Sequence, residues 1–301
     1  MQLNLISLIH KFQLNLSEAF GSKHAVMVGG EKMPNRMRLI CITLGVAMSI
    51  SSPSFSADID DGIKAYDKAR PAERVASDEF AAGVDAYSRG DYTAAYAMFM
   101  KEAQKGNASA QYKTGFMLAE GRGVAKNDAE AVRWYKLAAE KGLSAAQYNL
   151  AVMYEEGKGT AQDPEAALKW YRKAAEKGLA AAQYNLGVMY GNGGAVEQND
   201  EEAFKWFRLA AAQGLAPAQY NLGLMYANGL GVEQNDREAM KWFQLAAAQN
   251  DLKAACGLAM MYASGKGTLK DLAKAKQLAK KGFDAGEEIC RLVWTQNHLG
   301  D

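Results

Sequence analysis

Apolar and small residues return along this chain in blocks of 36 residues. The stretch 145–178, AAQYNLAVMYEEGKGTAQDPEAALKWYRKAAEKG, meets near copies of itself when it is shifted by that length. The aromatic residues keep the same spacing, at Tyr112, Tyr148, Tyr184 and Tyr220 and at Trp134, Trp170, Trp206 and Trp242. A unit of this length cannot bury its apolar face alone, whereas stacked copies bury it together. The pattern therefore predicts a solenoid.

Each block predicts two helices. Leu150 and Tyr154 share the apolar face of a first helix, helix A. Gly157 ends this helix, because glycine readily adopts the left-handed conformation that satisfies the last carbonyl groups. Asp163 is a good N-cap for a second helix, helix B, which runs to Gly178. The unit is therefore a helix pair separated by a glycine-containing loop.

The recurring motif is A-x-x-x-L-G-x-x-Y-x-x-G-x-G-V, then an Asp or Asn cap, then A-x-x-W-x-x-x-A-A-x-x-G. One copy is carried by Ala182, Leu186, Gly187, Tyr190, Gly193, Val196, Trp206, Ala210, Ala211 and Gly214. This motif resembles the Sel1-like repeat family, which is related to tetratricopeptide repeats. The resemblance implies an all-α, right-handed α/α superhelical solenoid used for protein interaction, often in the bacterial cell envelope. Ala195 stands where the family has its second loop glycine, and we expect Gly194 to take the strained conformation instead.

The resemblance also divides the chain. We expect a short tetratricopeptide-like capping pair at 78–107, four repeats at 108–143, 144–179, 180–215 and 216–251, a shortened repeat at 252–283 and a C-terminal capping helix at 284–301. The fifth repeat is expected to lack about one turn of helix B, with Gly282 as its final glycine.

Two cysteines lie in the last part of the array. Cys256 takes the position of Tyr148, and the expected deletion puts Cys290 at a core leucine position. Their side chains are then expected to point in different directions. A disulfide between them stays open as the alternative.

Residues 37–57 are typical of a signal peptide. Arg36 and Arg38 precede an apolar run over 39–50, and small residues follow as far as Ala57. The run is too short to span a bilayer. We therefore expect a periplasmic or secreted protein without stable membrane insertion after cleavage, and the alternative is a buried helix of a cytosolic protein.

The segments on either side of this pattern carry less information. The mature chain is expected to start at Ala57 or Asp58 and to continue through a linker at 58–77. Residues 1–36 are an unusual extension before a signal peptide, and a translation start at Met37 would remove them.

Charge and composition exclude several classes of function. The net charge is +1, and the residues after position 57 hold 30 basic and 32 acidic side chains, which gives no electrostatic basis for binding nucleic acid. The sequence has no histidine between His24 and His298 and no cysteine cluster with metal-ligand spacing. It therefore predicts no metal site, no cofactor and no histidine-activated nucleophile.

Serine-acylase chemistry is the least favoured function. The sequence has no S-x-x-K motif, and its only K-T-G tripeptide, at 113–115, lies in the middle of a predicted helix. A β-lactamase-like enzyme or a cell-wall hydrolase is kept only as a minor alternative, and the protein is predicted not to be an enzyme.

The most informative surface is the side of helix A opposite the Leu150 and Tyr154 face. Tyrosine, asparagine and apolar residues recur there, and the candidate site residues are Tyr112, Tyr148, Asn149, Val152, Met153, Tyr184, Asn185, Val188, Met189, Tyr220, Asn221, Leu224 and Met225. Stacked A helices are expected to line a concave groove that binds a protein or peptide, with the asparagines hydrogen-bonded to a peptide backbone. Two alternatives stay open: a glycan or peptidoglycan fragment in the same groove, and a purely structural role for these side chains. The protein is expected to be a monomer, and its partner is not identified by the sequence.

Overall fold

A computed structural model of the chain describes residues 78–297, 299 and 300. These residues form thirteen α-helices and contain no strand, which confirms the predicted all-α repeat solenoid. The helices are α1 (Asp78–Ser88), α2 (Tyr92–Gln104), α3 (Ala108–Glu120), α4 (Asp128–Glu140), α5 (Ser144–Glu156), α6 (Pro164–Glu176), α7 (Ala180–Asn192), α8 (Asp200–Ala212), α9 (Ala216–Asn228), α10 (Asp236–Ala248), α11 (Leu252–Ser264), α12 (Leu272–Asp284) and α13 (Glu288–Gln296). The expected N-terminal extension, signal peptide and linker lie outside the described residues.

Helices A and B alternate along the chain, and each packs on the helices before and after it. The A helices of the repeats are α3, α5, α7, α9 and α11, and each is followed by its B helix. The side-chain oxygen of Asn127 accepts the backbone N–H of Glu130 at 3.0 Å, and the N-caps of α8 and α10 do the same. Gly121 and Gly157 end A helices with φ angles of 69° and 66°. The local signals in the sequence thus set both ends of these helices.

A pair of aromatic rings joins helices A and B inside each of four repeats. The pairs and the distances between their ring centroids are Tyr112 and Tyr135 at 5.8 Å, Tyr148 and Tyr171 at 5.6 Å, Tyr184 and Phe207 at 5.8 Å, and Tyr220 and Phe243 at 5.8 Å. Gly187 faces one of these rings, and a Cβ atom there would lie 2.7 Å from Phe207. Small residues on helix A therefore let the two helices approach closely.

Glutamine side chains join four of the A helices, α3, α5, α7 and α9, to the B helix before each of them. Their Nε2 atoms donate to backbone carbonyl groups, from Gln111 to Ala103 at 3.2 Å, Gln147 to Ala139 at 3.0 Å, Gln183 to Ala175 at 3.1 Å and Gln219 to Ala211 at 3.3 Å. These side chains are buried. Each hydrogen bond therefore orients one repeat on its neighbour in a site shielded from water.

The second glycine of the loop packs on the first turn of the preceding helix B. Gly231 has a φ of 64°, and a Cβ atom there would overlap the backbone carbonyl of Asp200. Ala195 stands at this position in the third repeat, and the chain takes another path, with a ψ of −164° at Gly193 and a φ of 109° at Gly194. Gly194 thus takes a positive φ, as expected, because alanine does not fit the close backbone contact.

The expected shortening of the fifth repeat is wrong. Helix α12 has thirteen residues, and shifting α10 by 36 positions reproduces its bounds. Gly282 lies inside this helix, and Gly286, with a φ of 79°, follows its end. Helix α13 therefore starts in the register of a further A helix, and Cys290 takes the position of Ala254 rather than that of a core leucine.

Cys256 and Cys290 form a disulfide that ties α13 to α11. The expectation that their side chains point apart is wrong, because it depended on the register that the deletion implied. The equivalent residues one repeat earlier, Tyr220 and Ala254, lie together in one core cluster. Gly282 leaves room for the bridge, since a Cβ atom there would overlap the sulfur of Cys290. The disulfide therefore occupies space that a tyrosine fills in the earlier repeats.

Candidate protein-interaction face

One apolar side chain on each A helix stays partly uncovered by the B helices. We call this set the A row, and it consists of Val84, Phe116, Val152, Val188, Leu224 and Met260. The two end members are exposed by 42% at Val84 and 47% at Met260, and the four between them are half-buried. The row continues from one helix to the next through the whole array.

The structure adds Val84 to the residues that the 36-residue spacing indicates. The ring pair of Phe80 and Phe99 in the capping helices corresponds to the pair of Tyr112 and Tyr135 in the first repeat. This correspondence places Val84 at the position of Phe116. The shorter loop between α1 and α2 changes the spacing to 32 residues, and the sequence pattern therefore missed Val84.

Six of the predicted site residues lie in the core. These buried residues are Tyr112, Tyr148, Met153, Tyr220, Asn221 and Met225, none of them exposed by more than 5%. The tyrosines point between helices A and B, where their rings meet the aromatic residue of helix B. The predicted placement of these six residues on an open surface is therefore corrected, because B helices cover helix A on two sides and leave only a narrow strip exposed.

The other seven predicted site residues are half-buried. They are Asn149, Val152, Tyr184, Asn185, Val188, Met189 and Leu224. Three of them, Val152, Val188 and Leu224, are members of the A row. Tyr184 and Met189 take the positions that are buried in the neighbouring repeats, and both still pack against core clusters.

The asparagines that were predicted to hold a peptide backbone form hydrogen bonds with tyrosines of the preceding repeat. The pairs are Asn149 with Tyr135, Asn185 with Tyr148 and Tyr171, and Asn221 with Tyr184. Burial raises the pKa of Tyr184 to about 12, and the hydrogen bond from Asn221 opposes that rise. Asn221 also donates to the carbonyl oxygen of Pro217 at 3.1 Å. Their first role is therefore to join repeats, and only Asn149 and Asn185 keep partly exposed side chains.

The B helices carry a second set of exposed apolar residues, Leu137, Leu209 and Leu245. This set is interrupted in the second repeat by Lys173, whose Nζ lies 4.2 Å from the centre of the Trp170 ring. Exposed charged residues such as Arg208 separate its members. The B side is therefore a mixed surface, whereas the A row has an apolar residue in every repeat.

The described residues contain no arrangement suited to catalysis by the motifs considered above. No group of histidine, cysteine, aspartate and glutamate within them could hold a metal ion. The K-T-G tripeptide lies inside α3, and its Thr114 side chain is completely buried. Among the described helices, none has the length and apolar character needed to cross a membrane.

Comparisons with known proteins agree with this architecture. The family model described as "Sel1 repeat" matches residues 108–143, 144–179, 180–215, 216–251 and 252–287. A Sel1 repeat protein from Oxalobacter formigenes is 32% identical, with 75% of this chain and 91% of that chain covered and a TM-score of 0.69. The protective antigen c5321 of uropathogenic Escherichia coli, which has an SLR fold, is 36% identical, with 71% of this chain and 47% of that chain covered and a TM-score of 0.67.

No curated protein matches the chain. The five family matches together span more than half of its length. Sel1 repeats generally serve as non-catalytic scaffolds for protein–protein interaction. This chain belongs to the Sel1 repeat family.

Proposed function

We propose that this protein is a non-enzymatic scaffold of the bacterial cell envelope that binds an extended segment of another protein along the A row. The observation that carries the proposal is the continuity of the row, with one partly exposed apolar side chain on each of six successive A-type helices. Single exposed apolar residues are normal on protein surfaces, whereas a continuous set of them marks a binding surface. An extended segment can place one apolar side chain at each helix while its backbone stays near Asn149 and Asn185.

The two other candidate ligands have less support. A glycan is usually held against exposed aromatic faces, and the predicted Tyr112, Tyr148 and Tyr220 are buried. The serine-acylase alternative depended on the K-T-G tripeptide, whose Thr114 is inaccessible to a substrate. A protein segment is therefore the ligand that suits the apolar A row best.

Photo-crosslinking in the producing bacterium tests the binding face. With p-benzoylphenylalanine in place of Val188, we expect crosslinks to one partner that mass spectrometry identifies. The paired change Val152→Glu and Val188→Glu is expected to lower partner binding by at least about tenfold, since it places two carboxylates in an apolar contact.

The matched control uses the exposed leucines of helix B. Leu209→Glu with Leu245→Glu adds the same charge at apolar side chains that are exposed rather than half-buried, and we expect it to leave binding unchanged. Loss of binding with the helix B pair and normal binding with the A row pair would show that the partner binds the opposite side.

The envelope location is supported by two independent features. One is the charged, apolar and small-residue order of residues 37–57. The other is the disulfide between Cys256 and Cys290, since such bonds form and persist mainly in oxidising compartments. We expect N-terminal sequencing of the periplasmic or secreted protein to begin at Ala57 or Asp58. An intact terminus at Met1 or Met37 on protein from the cytosol would contradict this location.

A further inference from the structure

Arg122 is held on a platform of three aromatic rings near the N-terminal end of the A row. The centre of its guanidinium lies 5.4 Å from the ring centroid of Phe116, 5.8 Å from that of Tyr92 and 6.0 Å from that of Tyr87. One guanidinium nitrogen donates to the Tyr87 hydroxyl at 2.6 Å. These contacts orient the side chain before any ligand arrives.

The backbone of Arg122 is anchored as well. Its N–H donates to the carbonyl oxygen of Met117 at 2.9 Å, and the flanking Gly121 and Gly123 both have a φ of 69°. The residue is nonetheless exposed to solvent. Both ends of a long and normally mobile side chain are therefore positioned, which lowers the entropic cost of using its charge.

A second cation shares the same ring. Lys113 Nζ lies 5.7 Å from the ring centroid of Tyr87. Lys113 occupies the position at which the next three repeats have Asn149, Asn185 and Asn221. Lys113 and Arg122 therefore both place a positive charge near the Tyr87 ring. The position of Lys113 is therefore positively charged in the first repeat and uncharged in the next three repeats.

Within the described residues, the guanidinium of Arg122 keeps donors available. Arginine has five N–H donors, and the structure shows one side-chain hydrogen bond from Arg122, to the Tyr87 hydroxyl. In the described part of the chain, no carboxylate forms an ion pair with Arg122. A carboxylate matches the planar fork of an arginine and can accept two parallel hydrogen bonds from it.

We propose that Arg122, assisted by Lys113, binds an aspartate or glutamate side chain of the protein segment that lies along the A row. This inference rests on the proposed function and adds the chemistry of the partner at one end of the row. The carboxylate belongs to an internal side chain rather than to a chain terminus, because the A row continues past Arg122 to the exposed Val84.

The residue at the position of Arg122 changes along the array, to Lys158 in the second repeat, Gly194 and Leu230 in the third and fourth, and Lys266 in the fifth. In the second repeat, Glu156 is paired with Lys158 at 2.6 Å. The third and fourth repeats have the neutral Asn192 and Asn228 at the position of Glu156. We therefore expect the partner segment to have its acidic residue at the aromatic platform of Arg122 and uncharged residues along the third and fourth repeats.

Selection from a random peptide library displayed on phage tests the inference with the whole mature chain. We expect the selected peptides to combine apolar residues with aspartate or glutamate. For a selected peptide made with blocked termini, Arg122→Gln is expected to raise Kd about tenfold, and replacing the acidic residue by its amide is expected to do the same. Combining both changes should add little, because they remove one contact.

Two further variants complete the test. Lys113→Asn introduces the residue of the neighbouring repeats and is expected to weaken binding of the acidic peptide but not of its amide version. Lys136→Gln on helix B is expected to leave the binding of both peptides unaffected. Selected peptides without acidic enrichment, or equal Kd values for wild type and Arg122→Gln, would overturn this inference and leave the A row proposal standing. If no peptide can be selected whose binding is also weakened by the paired change Val152→Glu and Val188→Glu, both this inference and the A row proposal would be overturned.

Discussion

Replacing both Cys256 and Cys290 by serine is expected to lower the free energy of unfolding of the last repeat by about 3 to 4 kcal/mol. The bridge closes a loop with a sequence separation of 34 and joins α13 to α11. Without it, the nine residues of α13 are held by apolar contacts such as those of Ile289 and Val293 and by the stacking of Trp294 on Phe283. Nearest-neighbour coupling in a repeat array confines the loss to this end.

Amide hydrogen exchange measures this loss repeat by repeat. The amides of α13 and α12 are expected to lose protection in the double serine variant, while those of α3 to α8 keep it. Wild-type protein that has been unfolded, reduced and refolded in reductant serves as the control and should behave like the variant. Equal protection of α13 in the oxidised wild type and in the variant would show that the bridge adds no stability.

Gly231→Ala is expected to destabilise the array by about 2 to 5 kcal/mol, through two costs that a control can separate. The first is the positive φ of 64°, which costs an alanine about 1 to 2 kcal/mol. The second is the overlap of the new Cβ atom with the backbone carbonyl of Asp200, which cannot move without disturbing α8. Overpacking of this kind adds about 1 to 3 kcal/mol.

Gly214→Ala is the matched control for this second cost. Gly214 also has a positive φ, 91°, but a Cβ atom there would meet nothing within 4 Å. We expect it to cost only the conformational part, about 1 to 2 kcal/mol. Chemical denaturation of the two variants gives the comparison, and equal losses would contradict the close packing of the loop on the preceding repeat.

The helix pairs follow from signals close together in the chain. Asn127 caps the N-terminus of a helix and Gly157 ends another because both act on backbone groups a few residues away. The regular return of these signals was enough to predict the repeat and the all-α solenoid. The same reasoning identified Ala195 as an exception, since a missing glycine is visible in the sequence.

The tertiary structure decided which side chains of helix A are available to a partner. A helical wheel separates two faces, but helix A is covered by its own B helix and by the preceding one, so that Tyr148 is in the core and Val152 is only half-buried. The hydrogen-bond partners of Asn185 could likewise not be predicted from the sequence, because Tyr148 and Tyr171 approach it only when repeats stack.

The C-terminal end shows the same division. The cysteines were evident, but their pairing depended on whether α12 kept its full length, and an early Gly282 suggested a deletion that the helix does not have. The sequence by itself thus determined the repeat, its helices and their ends, because those depend on local backbone hydrogen bonding. Only the packed array decided the exposed row, the ring of contacts around Arg122 and the disulfide, because each depends on distances between residues far apart in the chain.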